Sequence, residues 1–452
     1  MTDTAAVRRR ASRLLVLALA CLASGPVGPA AAQTAAQTAA ADAPPELTLA
    51  VLIVNDPDLP PVSPDDARAI FTEARRTMKN KLGYDAVAFD VRATMASPEF
   101  IASNTPKDDA CLAKFAPLRV QPGVRQATSL PRESVVAFLQ RWKLPALRAF
   151  FPDGAQRGLE SYETIATRLL EEMDRKIAAI AAIKLPTGKS LLDPASLEQR
   201  SYVRWLCALR NQTEYDFVLT NAFILYDLGT EPYPHSIFQK NKVGGASLFS
   251  PAREPMRGQA VFASTFSMVT DLPFFQEPGL ETLRPKERFE VIGSFIVAHE
   301  LGHALFKLPD FYDHPAQCLM TTQYETDYVS GYWNLQAYPG RCPKCEPWVT
   351  ARREVFLADL DEAKREPLSA AKHLEQAIKL TPKHIDGSYP RYIAGLSAEV
   401  AELYLAAGKL IEAKRWTQAT LRVMPDSARA LAVQRRLGEL ESPKPPEQAP
   451  SP

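Results

Sequence analysis

Excess charge is what this 452-residue chain has least of: 53 lysines and arginines stand against 52 aspartates and glutamates, a formal net charge of +1. Arg8, Arg9, Arg10 and Arg13 cluster near the start, so the remainder is close to neutral. A balanced chain of this kind offers no field to attract nucleic acid or an anionic membrane surface. Nowhere does it hold the roughly 18 uninterrupted apolar residues a membrane helix needs, so no integral span is expected. Cysteine is scarce, at six. If Cys21 departs with a leader, an odd number remains, and a pure disulfide framework cannot use them all. Histidine is equally scarce, also six, so any close grouping of histidines stands out. Apolar residues are plentiful: 46% hydrophobic against 23% charged supports a sizeable core.

The four arginines precede a short apolar run, Leu14 to Leu22, and the small residues Ala30, Ala31 and Ala32. That order predicts a signal peptide over 1–32, hence export to the periplasm or medium. An uncleaved anchor and a lipoprotein attached through Cys21 are the alternatives. Residues 33–46 carry no apolar period and read as a flexible leader. Thr48 to Val54 and Tyr84 to Val91 read as strands, with a helix from Ser63 to Lys81 between them. Strand, helix, strand is the usual opening of an α/β layer. Residues 100–210 are mostly helical in pattern, including Tyr162 to Ile183. Tyr215 to Tyr226 and Gly258 to Val269 are further strand candidates. Phe289 to Phe306 is a helix apolar on nearly all sides, which implies burial.

After Trp348 the texture turns charged and alanine-rich. Ala370, Leu374 and Ala377 precede Pro382, while Tyr404, Gly408, Ala413 and Ala419 precede Pro425. These spacings resemble divergent tetratricopeptide repeats; ordinary helical hairpins are the alternative. The organisation expected is therefore an α/β (α+β) catalytic domain over 47–348, with a helical insertion at about 100–210, then an all-α helical-hairpin domain over 349–441. A disordered tail covers 442–452. The helical domain is expected to be separable, to supply no catalytic group and to offer a surface to a protein partner.

The chemistry lies in IVAHELGHALFKLPDFYDHPAQCLM, residues 296–320. His299 and His303 are four apart and project from one helix face. Two imidazoles at that spacing can bind one Zn²⁺, with Glu300 beside them as general base. A catalytic zinc takes a third protein ligand and keeps one position open. Leu308 before Pro309 disfavours the helix, so the chain can turn back there. Asp310 is the leading third ligand, with His314 and Asp313 as competitors.

HELGHALFKLPD followed by Met320 resembles a metzincin-type zinc metallopeptidase. The resemblance implies a zincin-type fold, a twisted mixed sheet over the active-site helix, and a methionine turn at Met320. Phe306 stands where that group usually has glycine, and the third ligand comes one residue late. Downstream, Cys318-Leu319-Met320 and Cys342-Pro343-Lys344-Cys345 are similar to the archaemetzincins, where such cysteines form a second zinc site. The first cysteine of that site is absent here, and His314 would replace it. Disulfides among the three cysteines are the alternative, and Cys111 and Cys207 are candidates to pair with each other. Tyr324, Tyr328 and Tyr332 are candidates either to support an oxyanion or simply to pack. His235 is placed in a surface loop remote from every motif, and His373 and His384 receive no role.

The function expected is zinc-dependent hydrolysis of peptide bonds, as an endopeptidase or aminopeptidase, through a zinc-activated water with Glu300 as general base. The rival is a non-catalytic zinc-site scaffold that binds a partner protein through the C-terminal helices.

Overall fold

The computed structural model describes residues 47–441, apart from 107–108, 116–129, 149, 152–155, 229–230, 239, 241, 249–259, 311–313, 316, 322–326 and 384–387. The expected signal peptide, leader and tail, with Cys21, Asp313, Tyr324 and His384, lie outside the described residues.

Strand β1 (Leu47–Asn55) is buried along almost its whole length, as a strand covered on both faces must be. Helix α1 (Pro64–Leu82) begins where Ser63 and Asp66 cap one another's backbone N–H. It ends at Gly83, in the left-handed region at φ 67°. Strand β2 (Val87–Ala96) then pairs parallel to β1. It starts three residues later than the sequence predicts. Tyr84 is drawn into the core instead, with its ring 5.6 Å from Phe306 and 5.5 Å from Phe356.

Helices α2 (Tyr162–Ala181) and α3 (Tyr202–Asn211) follow, then β3 (Phe217–Thr220), β4 (Gly245–Ser247) and β5 (Val261–Ser264). The described strands form one mixed sheet in the order β2-β1-β3-β5-β4, and β4 is its antiparallel edge. β3 is shorter than its apolar run. Asn221 leaves the ladder and donates to the carbonyls of Leu59 and Pro60, clamping the loop after β1. Ala222 to Leu228 stays buried without joining the sheet.

The two-residue period of the strands divides the interior. Leu49, Val51, Ile53, Phe217, Leu219, Val261 and Ala263 face one layer. Leu52, Val54, Val218 and Phe262 face the other, with α2 and α3. On that second face a disulfide joins Cys111 to Cys207. The first layer holds α1 and α4 (Pro285–Phe306). α4 contains a π-helical segment, Ile292–Val297, before its last stretch, Ala298–Phe306. Gly293 lies so close to α1 that a Cβ would stand 2.2 Å from the Ile70 carbonyl oxygen. Among the described residues α4 alone is long and apolar enough to cross a membrane, and 78% of its apolar window is buried inside the protein.

Helix α5 (Glu346–Ala363) runs through the change of texture without a break. Trp348, Val349 and Phe356 pack into the first layer. Val355 and Ala358 pack against α6 (Pro367–Leu380), α7 (Ser388–Ala406), α8 (Leu410–Val423) and α9 (Ala428–Glu441).

Candidate functional site

The end of α4 carries the motif. The Nε2 atoms of His299 and His303 lie 3.0 Å apart. His299 Nδ1 is 2.8 Å from the Leu319 carbonyl oxygen, and His303 Nδ1 is 2.5 Å from that of Leu308. A carbonyl only accepts, so each Nδ1 carries a proton, and in the neutral ring Nε2 is the atom left with a lone pair for a metal. The helix stops at Phe306, with Lys307 left-handed at φ 57° and Leu308 N–H donating back to Gly302. This is earlier than the Leu308-Pro309 stop read from sequence, and it turns the chain so that Asp310 returns to the histidines. Asp310 Oδ1 lies 3.3 Å from His299 Nε2 and 3.5 Å from His303 Nε2.

Three lone-pair atoms converge here, and the Asp310 oxygen is buried with no hydrogen-bond donor. Such a set is repulsive unless a cation or a proton lies between them. Without a cation, burial raises the Asp310 carboxyl, but the histidines outweigh it and hold the group well below the usual range. Burial lowers His303, but Asp310 outweighs it and lifts the imidazole to about 9. Tetrahedral zinc with ligands at about 2.0–2.1 Å sets its donor atoms about 3.3 Å apart. The three separations bracket that value, so His299, His303 and Asp310 fit a metal ion as a group.

Glu300 is buried next to them. Burial pushes its pKa up, and the neighbouring His303 and His299 pull it back. The Ser247 hydroxyl of β4 lies 2.9 Å from Oε2 and 2.8 Å from the Glu300 carbonyl oxygen. A Cβ on Gly245 would stand 2.6 Å from Glu300 Cγ, so only glycine lets the edge strand lie this close. On the other side of the helix, Met320 is fully buried, and a Cβ on Gly302 would meet its sulfur at 2.6 Å. The methionine therefore packs under the turn that bears both histidines.

These groups open into a cavity of about 340 Å³. Its remaining wall comes from residues the sequence did not single out, among them Tyr202, Tyr226, Tyr233, Tyr389, Tyr392 and Trp348. His235 also lines it, which corrects its placement as a remote surface loop. Lys176 of α2 is the reason: its ammonium donates to the carbonyls of Ile237 and Phe238 at 2.7 and 2.8 Å, pinning the short helix Pro234–Phe238 inward. Burial lowers the His235 pKa, with Asp310 opposing. Tyr328 and Tyr332 are not in the wall. Tyr328 is buried under Lys242, whose ammonium lies 4.4 Å from its ring centroid, and the Tyr332 hydroxyl lies 3.1 Å from Glu290. The packing role is the one these two occupy. His373 pairs with Glu354 at 2.7 Å, away from the site.

A second group forms behind the first. His314 Nδ1 lies 3.2 Å from Cys318 Sγ and 3.6 Å from the sulfurs of Cys342 and Cys345. Cys318 and Cys345 are 3.4 Å apart, well beyond the roughly 2.05 Å of a disulfide. All three thiols are free. The four donor atoms lie within 4.8 Å of one another. Zinc–sulfur bonds of about 2.3 Å imply tetrahedral edges of about 3.7 Å, which this group approaches. Without a cation the thiols compete: hydrogen bonding to its neighbours holds Cys342 down, while Cys318 is pushed up to about 12 by Cys342. The buried Lys81 ammonium donates to the carbonyl oxygens of Gln317 and Tyr338, which puts one positive charge near Cys318 and Cys342. His314 is thereby placed in this cluster and not with His299 and His303.

Comparison of the chain with family models, with curated proteins and with solved structures returns no match.

Proposed function

We propose that the chain is an exported zinc metallopeptidase of the zincin type, archaemetzincin-like in its two metal groups. The observation that carries this reading is the convergence of His299, His303 and Asp310 on one point, with Glu300 buried beside it in the same cavity. Zinc suits both donor sets, the first with two imidazoles and a carboxylate, the second with three sulfurs and an imidazole. The Cys111–Cys207 disulfide supports an oxidising destination.

A divalent ion at the first group supplies Lewis acidity to a water and to the scissile carbonyl. Glu300 takes the proton of the attacking water and returns it to the leaving amine. Its desolvated position favours that exchange, and Ser247 fixes which carboxylate oxygen faces the cavity. The backbone of β4 is a sheet edge directly over Glu300, where an extended peptide can add as a further strand. Glu300→Gln removes the base and leaves every ligand. Its zinc content should match wild type while peptide hydrolysis drops by about 10²- to 10⁴-fold. Undiminished turnover of a peptide library by Glu300→Gln would overturn Glu300 as the base, and a zinc-loaded wild type that hydrolyses no peptide would leave the scaffold reading in its place.

A further inference from the structure

The chain holds 14 tyrosines and 5 tryptophans among 452 residues, yet six of them line the cavity that contains His299, Glu300, His303 and Asp310. They come from distant parts of the sequence. Tyr202 begins α3, and Tyr226 and Tyr233 follow β3. Trp348 belongs to α5, and Tyr389 and Tyr392 to α7 of the C-terminal helices. Tyr202, Tyr233 and Tyr389 are only half-buried, so part of each ring is open to a ligand.

Several of these residues turn their polar ends to the backbone. The Tyr226 hydroxyl donates to the Glu231 carbonyl and accepts from the Tyr233 N–H at 3.1 Å. The Tyr389 hydroxyl donates to the Thr381 carbonyl at 3.3 Å. With these hydroxyls engaged, Tyr226 and Tyr389 have mainly ring carbon to offer the cavity. The rings also stand in two attitudes. Tyr202 stacks on Tyr226, with centroids 5.4 Å apart and planes 27° apart. Trp348 meets Tyr389 edge-on, at 6.2 Å and 80°. Aromatic side chains attract one another both offset-stacked and edge to face, so a wall with rings in both attitudes suits a further ring better than an aliphatic chain. The cavity of about 340 Å³ has room for a short stretch of peptide.

We propose that these rings form a subsite for an aromatic side chain next to the scissile bond, and that Tyr389 is a specificity-determining residue contributed by the C-terminal helices. This rests on the peptidase reading. The helical unit then selects substrate within the cleft itself, and the preferred peptides carry Phe, Tyr or Trp beside the bond that is cut.

The test is binding, measured on the zinc-loaded full chain carrying Glu300→Gln so that no probe is consumed. The probes are alanine pentapeptides blocked at both ends, with one central guest: Ala, Leu, cyclohexylalanine, Phe, Glu or Lys. Phe should bind at least about tenfold more tightly than Ala, the scale of burying a large apolar side chain. It should also bind about threefold to tenfold more tightly than cyclohexylalanine, which has a similar bulk and no π face. Adding Tyr389→Leu should lower the preference for Phe over cyclohexylalanine, while Tyr389→Phe keeps it, with zinc content unchanged in both. Tyr202→Leu, on the other side of the cavity, gives the same readout if Tyr389→Leu does not fold. Leu or cyclohexylalanine binding as tightly as Phe, a charged guest binding most tightly, no binding of any probe, or a preference that survives both leucine variants overturns the proposal. Hydrolysis of the same peptides by the wild type is scored separately. Cleavage without regard to the guest refutes the subsite alone, and Phe-selective binding without cleavage refutes the peptidase reading alone.

Discussion

Gly245→Ala probes the edge strand and the general base in one substitution. The added methyl would stand 2.6 Å from Glu300 Cγ and 2.7 Å from Oε1. Carbon atoms pack at about 3.5 Å or more, so one partner must move by about 1 Å. β4 has little freedom to yield, because Gly245 is paired with Ala263 and Ser247 with Val261. The carboxylate is the softer partner. A displacement of about 1 Å in a positioned catalytic group is enough to cost about 10²-fold. The loss should fall on kcat, with zinc content at the wild-type level, because no ligand is touched. Steady-state hydrolysis of a peptide substrate, metal analysis and a melting curve together check it. A folded, zinc-loaded Gly245→Ala enzyme with wild-type kcat would refute the view that β4 fixes Glu300 and that Glu300 does the proton transfer.

Metal counting separates the two groups. Wild type should carry two zinc ions per chain; Asp310→Ala should lose one together with activity, and His314→Ala should lose the other. If His314→Ala strips the active-site metal while Asp310→Ala keeps it, the ligand assignment is wrong. A pH effect is expected from Asp227, which is buried and accepts from Ser201 Oγ at 2.5 Å and Val203 N at 3.0 Å. Burial outweighs those bonds and raises its carboxyl from 3.8 to about 6. A raised folded-state pKa means the native state binds this proton more tightly. The contribution is complete below pH about 4 and is lost as pH rises through about 6, a span on the order of 3 kcal/mol. Denaturation of wild type and Asp227→Asn across pH 4 to 7 should show that slope in their difference, and parallel profiles would disprove it.

What was legible in the sequence was local in the chain. Ser63, Pro64 and Asp66 announce α1 because a helix start is a matter of four consecutive residues. His299, Glu300 and His303 are legible because one helical turn brings them together. Asp310 follows from the turn after the helix, although the stop is made by Lys307 in a left-handed conformation and not by the proline. The other wall of the cavity was not legible. Tyr202, His235 and Tyr389 come from separate segments and meet only through tertiary packing. No periodicity records the inward pull of Lys176 on the His235 helix. The tail was expected to stand apart from the site. Tyr389 and Tyr392 of α7 reach the cavity, so a chain ending near 349 would lack part of its wall.

The π-helical segment of α4 has a consequence for how this helix tolerates change. An α-helix advances about 100° per residue, and a π turn absorbs one residue more than an α turn. The stretch before this segment, Pro285–Val291, and the stretch that presents His299 and His303 therefore run at different phases. Deleting one residue within 292–297 would let the segment relax to a regular helix while both ends kept their faces. Deleting one residue between His299 and His303 would instead swing one histidine by about 100° away from the other. The helix thus has a stretch where length can drift and a stretch where it cannot, and the border between them lies just before the first histidine.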